Sequence, residues 1–221
     1  MASILSTKIL SASQRELLLN ANQNFVEYNA IHIEFLPFEI DENFDYYVFT
    51  SQNGVNAFLK NKGKSNLTEE KAFCVGEKTK SLLEQNDLKV VEIAKNSLEL
   101  GQNIEKKYQK SSFLIFSGNL RRQELFDMLI KNNIRYKEVH SYNTHLNYKE
   151  YSRVFDGVLF FSPSGVQSFV EENQLNNSWA FCIGETTAVE VKKYTNQVII
   201  ANKPTIENVL VQAIKHFRSN D

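Results

Sequence analysis

The sequence holds only two cysteines in 221 residues, Cys74 in "AFCVG" and Cys182 in "AFCIG", so no disulfide framework can staple it. Both sit at matching places in apolar segments and read as buried core thiols rather than as a disulfide or a catalytic pair. No apolar run approaches the roughly 18–20 residues that span a bilayer. The start "MASILSTKILSASQ" has no basic region followed by a sustained apolar stretch, which predicts a cytoplasmic location. Charge of either sign is also lacking in excess: 25 basic against 26 acidic residues leave a formal −1. That gives no global reason to bind nucleic acid or an anionic membrane, and local features must hold any anionic ligand. Neither G-x-G-x-x-G nor G-x-x-x-x-G-K-[ST] occurs, which removes the support for nucleotide phosphate binding of those kinds. No spacing of His, Cys, Asp and Glu makes a convincing metal site, and His140 and His145 read as structural or exposed.

What is present is a repeat. "FTSQNGVNAF" (49–58) returns as "FFSPSGVQSF" (160–169), with Ser51 and Ser162, Gly54 and Gly165, and Phe58 and Phe169 each 111 positions apart. "FCVGEKT" (73–79) returns as "FCIGETT" (181–187), and "VVEIAKNSLE" (90–99) as "VIIANKPTIE" (198–207), now 108 apart. The three lost residues belong to a loop, where length changes are tolerated. Each copy predicts strand, helix, strand, helix, strand, helix. Two further units remain: strand "KIL", a helix across "SQRELLLNANQNFVEYN" and strand "AIHIEFLPF"; then strand "FLIFSG", a helix across "RRQELFDMLIKNN" and strand "YKEVHSY". The chain divides into similar halves, about 1–110 and 111–221.

The runs "YYVF", "AFCV", "FLIF", "VLFF", "AFCI" and "VIIA" do not alternate with polar residues, as expected of parallel strands buried on both faces. Helical spacing of apolar residues lies between them. The class is α/β, and about ten strands predict two five-stranded sheets. Gly54, Gly76, Gly118, Gly165 and Gly184 follow strands and precede helices, with Thr50, Ser51, Asn53, Asn119, Ser162, Ser164, Thr186 and Thr187 along the same edge. In open parallel sheets ligands bind outside the carboxyl ends of strands. The same residue types are ordinary turn formers and helix caps.

In this order, "FTSQNGVNAF", "CVGEKT", "SGNLRRQEL", "VHSYNTH", "FFSPSGVQSF" and "CIGETTA" resemble the uroporphyrinogen-III synthase family, over about residues 44–208. The resemblance implies two similar flavodoxin-like α/β domains with parallel five-stranded sheets, joined by a two-stranded connection, with the cleft between them as active site. Residues 1–36 and 146–221 would form one domain and 39–141 the other, with strands at about 31–38 and 136–145 crossing. It implies cyclisation of hydroxymethylbilane to uroporphyrinogen III, with loss of water and inversion of the terminal ring. No cofactor and no metal would be needed, the protein would be a monomer, and a transient contact with porphobilinogen deaminase would be its one protein partner. Tyr142 matches the tyrosine proposed as general acid. Thr50, Ser51, Gly118, Asn119, Arg122, Ser162, Ser164, Gly165, Thr186 and Thr187 match substrate-binding positions, Arg122 at the start of a helix. Two departures stand out. "SAS" (11–13) follows the first strand where many members have Thr-Arg, and Asn53 stands where some carry Arg.

The competing reading is a cytoplasmic two-domain protein that binds or senses a small molecule, or an inactive homologue, since two α/β domains about a cleft also describe such proteins. A receiver or phosphotransfer domain would want an acidic pocket at the strand ends, which here carry hydroxyls and amides.

Overall fold

The computed structural model describes residues 1–62 and 70–218. In chain order its elements begin β1 (Ser3–Ser6), α1 (Ala12–Asn20), β2 (Asn24–Glu27), β3 (Ile31–Phe35), β4 (Tyr46–Phe49), α2 (Gln52–Lys62), β5 (Lys71–Val75), α3 (Glu77–Glu84), β6 (Lys89–Ala94) and α4 (Ser97–Lys107). They continue β7 (Phe113–Gly118), α5 (Glu124–Lys131), β8 (Tyr136–Leu146), β9 (Gly157–Phe160), α6 (Pro163–Val170), β10 (Trp179–Cys182), α7 (Glu185–Val191), β11 (Val198–Ile200) and α8 (Ile206–Arg218). The chain clusters into two units: Met1–His32 with His145–Asp221, and Ile33–Thr144.

The first unit carries a five-stranded sheet ordered β11-β10-β9-β1-β2, parallel throughout. Alternate side chains of these strands feed different cores. Leu5, Val158, Phe160, Ala180 and Cys182 pack with Val166, Phe169, Ala188 and Val191. Ile4, Leu159 and Phe181 pack with Leu18, Val209, Leu210 and Ala213. Burial on both faces is why these strands read as unbroken apolar runs.

The second unit's sheet is ordered β3-β8-β7-β4-β5-β6. Val48, Phe73, Phe113 and Ile115 face Leu100, Ile104, Leu125 and Leu129, while Phe49, Cys74, Leu114 and Phe116 face Val55, Phe58 and Leu83. This sheet differs from the expectation: it has six strands and is mixed, although β4, β5, β6, β7 and β8 are joined by parallel pairings. The additional strand is β3, whose residues alternate between half-buried and exposed, as suits an edge rather than a doubly covered strand.

The N-terminal segment also departs from the expectation. The first strand is "SILS" (3–6), not "KIL". The helix expected through residue 29 ends at Asn20, because Ala21 caps it, Asn22 turns into the left-handed region (φ 54°), and "NFVE" pairs with β1 as β2. The sequence "AIHIEFLPF" therefore yields a strand separate from β2.

Candidate functional site

Both sheets follow one plan. Replacing β4, β5, β6, β7 and β8 by their repeat partners β9, β10, β11, β1 and β2 turns one strand order into the other, with β3 as the addition. The order reverses between β4 and β7 in one unit and between β9 and β1 in the other. The carboxyl ends of strands at such a reversal open a crevice, since the following loops leave in opposite directions.

At the β4/β7 reversal the sequence delivers Thr50 and Ser51 after β4, and Gly118 and Asn119 at the end of β7. Ser51 precedes the first residue of α2, and its Oγ accepts a hydrogen bond from the Gly54 amide at 3.3 Å. The same Oγ lies 2.9 Å from the phenol oxygen of Tyr142. Tyr142 reaches this place because the β7/β8 register slips: Ser117 pairs with His140, but Gly118 pairs with Tyr142, leaving Ser141 over. Such a bulge re-aims the side chain beyond it. The buried Ser141 Oγ donates to the Ser117 carbonyl at 3.1 Å, and its own carbonyl accepts from the Leu36 amide at 3.0 Å. A Cβ on Gly118 would stand 2.4 Å from Tyr142 Cε2 and 2.5 Å from Cζ, so only glycine lets the ring lie here. Burial pushes the Tyr142 phenol above its ordinary value, and the Ser51 hydrogen bond pulls it back down.

Asn119 is committed to the backbone: its Nδ2 donates to the Thr144 carbonyl at 3.2 Å and its Oδ1 accepts from the Thr144 amide at 2.8 Å. Arg122 lies two residues ahead of α5 rather than on it, exposed. It makes no hydrogen bond or ion pair among the described residues. Arg121 by contrast is spoken for, pairing with Glu138 and stacking 3.8 Å from the centre of the Phe126 ring.

At the β9/β1 reversal Ser162 caps α6, its Oγ accepting from the Gly165 amide at 3.0 Å and lying 3.2 Å from Ser164 Oγ. Across the reversal, the turn after β1 is Thr7 and Lys8, which sequence reading missed by placing the first strand at "KIL". Thr7 Oγ1 donates to the Leu159 carbonyl at 2.7 Å, and a Cβ on Gly165 would lie 3.6 Å from that oxygen. Lys8 is exposed. The signal that could have found the pair was the buried doublet Ile4 and Leu5, which pairs with both β2 and β9. Thr186 is exposed in the first turn of α7, whereas Thr187 is 1% exposed and turned into the fold.

Among the described residues no group of three or more His, Cys, Asp or Glu could hold a metal ion, and no helix is long and apolar enough to cross a membrane. A family model described as uroporphyrinogen-III synthase HemD matches residues 14–210. The chain belongs to the uroporphyrinogen-III synthase family. A porphyrin biosynthesis protein HemD of Ruminiclostridium josui is 26% identical over 223 residues, a match that takes in 92% of this family member but 41% of that relative's length. The family's fold is shared as well. A uroporphyrinogen-III synthetase from Helicobacter pylori superposes with a TM-score of 0.72 at 22% identity, covering 98% of this chain and 100% of that one. A mutant uroporphyrinogen III synthase from Thermus thermophilus gives 0.73 at 10% identity, with both chains fully covered.

Proposed function

We propose that this protein is a uroporphyrinogen-III synthase, a cyclising lyase that closes hydroxymethylbilane to uroporphyrinogen III with loss of water and inversion of ring D. The observation that carries the reading is the Tyr142 phenol, held 2.9 Å from Ser51 at a strand-order reversal, in a chain that the family model matches over residues 14–210. Burial keeps that phenol protonated through neutral pH, which a proton donor requires.

In the proposed reaction the Tyr142 O–H bond breaks as its proton passes to the terminal hydroxyl, and the C–O bond breaks with its electron pair leaving on water. The pyrrole nitrogen lone pair fills the deficit and the ring becomes cationic. Ring D attacks through its substituted carbon to give a spiro intermediate. The original bond from that carbon to the ring C methylene breaks with its electron pair restoring ring D, and the methylene cation is stabilised by the ring C nitrogen. The free α-carbon of ring D then bonds to that methylene, and the proton it loses as ring D regains aromaticity returns to the phenolate. Positioning is the protein's main contribution, because free closure of the linear substrate gives the other isomer. Substrate acetates and propionates are held by Thr50, Ser162, Ser164, Gly165 and Thr186 with nearby helix N-terminal amides, and by Arg122, while the buried Thr187 takes no part. Lys8, exposed in the turn after β1, takes the place of the arginine that many family members carry after their first strand.

In this reading the chain forms two flavodoxin-like domains on a two-stranded connection, and the enzyme is cytoplasmic, monomeric and fed by porphobilinogen deaminase. The test couples that deaminase to this protein and resolves the oxidised products by isomer. Isomer III is expected, and Tyr142→Phe is expected to cut turnover about a hundredfold with the fold intact, in the range of lost general acid catalysis. Isomer I alone from the native protein would refute the assignment, and an unchanged rate in the variant would remove the role of Tyr142.

A further inference from the structure

We infer that Ser51 and Gly118, which sequence matching places among the substrate-binding residues, are positioning residues that aim and polarise the Tyr142 hydroxyl. This rests on Tyr142 being the proton donor of the proposed reaction.

Three independent features converge on one side chain. The bulge at Ser141 puts Tyr142 rather than its neighbour opposite Gly118. Gly118 supplies the space: the 2.4–2.9 Å approaches that a Cβ would make to Tyr142 Cε2, Cζ and Cδ2 mean that the ring lies against bare backbone. Ser51 then fixes the far end of the ring through its oxygen at 2.9 Å. A side chain locked at its base, its face and its tip keeps one rotamer.

The chemistry of the Ser51 contact follows from its other hydrogen bond. The Gly54 amide donates to Ser51 Oγ at 3.3 Å, which polarises the serine O–H and favours its donating to the phenol oxygen 2.9 Å away. The order is amide to serine, serine to phenol, and phenol to the departing hydroxyl. When Tyr142 gives up its proton, the phenolate finds a donor already in place, backed by the positive N-terminal end of α2. Burial alone would make the phenol a poorer acid, and Ser51 offsets that. A serine that only held substrate would have no need of the tyrosine contact.

The experiment uses the full-length protein with 13C at tyrosine Cζ, the Tyr142 resonance being identified by its absence in Tyr142→Phe. Ser51→Ala is expected to shift that resonance alone among the nine tyrosines, with Ser51→Thr restoring it. In the coupled assay Ser51→Ala should lower kcat about tenfold, the value of one transition-state hydrogen bond, with KM within about twofold. Because Ser51→Ala also removes the cap of α2, Ser51→Asp is the control: it caps the helix but only accepts, so kcat should stay low while the thermal midpoint recovers. Gly118→Ala should displace the ring and lower kcat at least as far. In a Tyr142→Phe background Ser51→Ala should lower kcat no further. A raised KM at unchanged kcat, an unmoved Tyr142 resonance, or losses that multiply in the double variant would overturn the inference. Failure of the native protein to yield isomer III would instead sink the functional reading, while the resonance shift would still decide whether Ser51 holds the phenol.

Discussion

Cys74 and Cys182 show how one residue's surroundings fix its chemistry. Both are free, fully buried thiols on the central strands β5 and β10, and burial pushes them up to about 11 and about 12. Above the ordinary thiol value of 9.0 the unfolded chain releases these protons while the folded chain keeps them. The unfolded state then binds fewer protons, so stability falls as pH rises, by about 1.4 kcal/mol per pH unit for each thiol. Urea midpoints taken between pH 8 and pH 10.5 should therefore decline, and the Cys74→Ala, Cys182→Ala double variant should decline less steeply. Equal slopes would mean that the thiols are not protected. Their burial was legible, because each sits inside a repeated apolar run. The Ser51–Tyr142 contact was not: the partners are 91 residues apart, and a bulge that no local pattern announces decides which way Tyr142 faces. Thr186 and Thr187 make the same point in miniature, since adjacent threonines in one motif part company, one to solvent and one to the core.

Helix ends are where the elements gain or lose definition. α4 begins at a reciprocal cap: Asn96 Oδ1 accepts from the Glu99 amide at 2.9 Å, and the Lys95 amide donates to the Glu99 carboxylate at 2.9 Å. This helix follows β6, two strands from the β4/β7 reversal, so its cap serves stability alone. Asn96→Ala should cost about 1 kcal/mol and lower Tm by roughly 2–4 °C. Calorimetry would check it, and isomer III formation should be unchanged; a drop in turnover would tie α4 to the site. The strands of the repeated segments were readable because unbroken apolar runs mark burial on both faces. α1 was overextended for a physical reason: "NFVE" carries two apolar residues that suit a helix turn as well as a short strand. Pairing with β1, a long-range event, settles the choice.

At the scale of the whole chain, the repeat is a permutation. The segment carrying β4 to β8 is continuous, whereas its counterpart is assembled from β9 to β11 at one end of the sequence and β1 and β2 at the other. Equal spatial order from a permuted chain order means that the sheet plan does not depend on where the chain is cut. The apolar clusters respect the division: each of the four draws all its buried residues from a single unit. Residues 33–144 should therefore fold when expressed alone, because the segment has both helix-covered faces of its sheet and about 110 residues, enough for an independent core. A single cooperative urea transition, with coincident circular dichroism and fluorescence curves, is the expected outcome. Noncoincident or featureless curves would show that the continuous unit depends on the rest of the chain for its stability. The fragment should also keep the Ser51–Tyr142 contact, whose members, bulge and glycine all lie within it, yet form no isomer III, since Lys8, Ser162 and Ser164, proposed above to hold substrate carboxylates, are missing. Retention of turnover by the fragment would refute the carboxylate-holding role proposed for Lys8, Ser162 and Ser164.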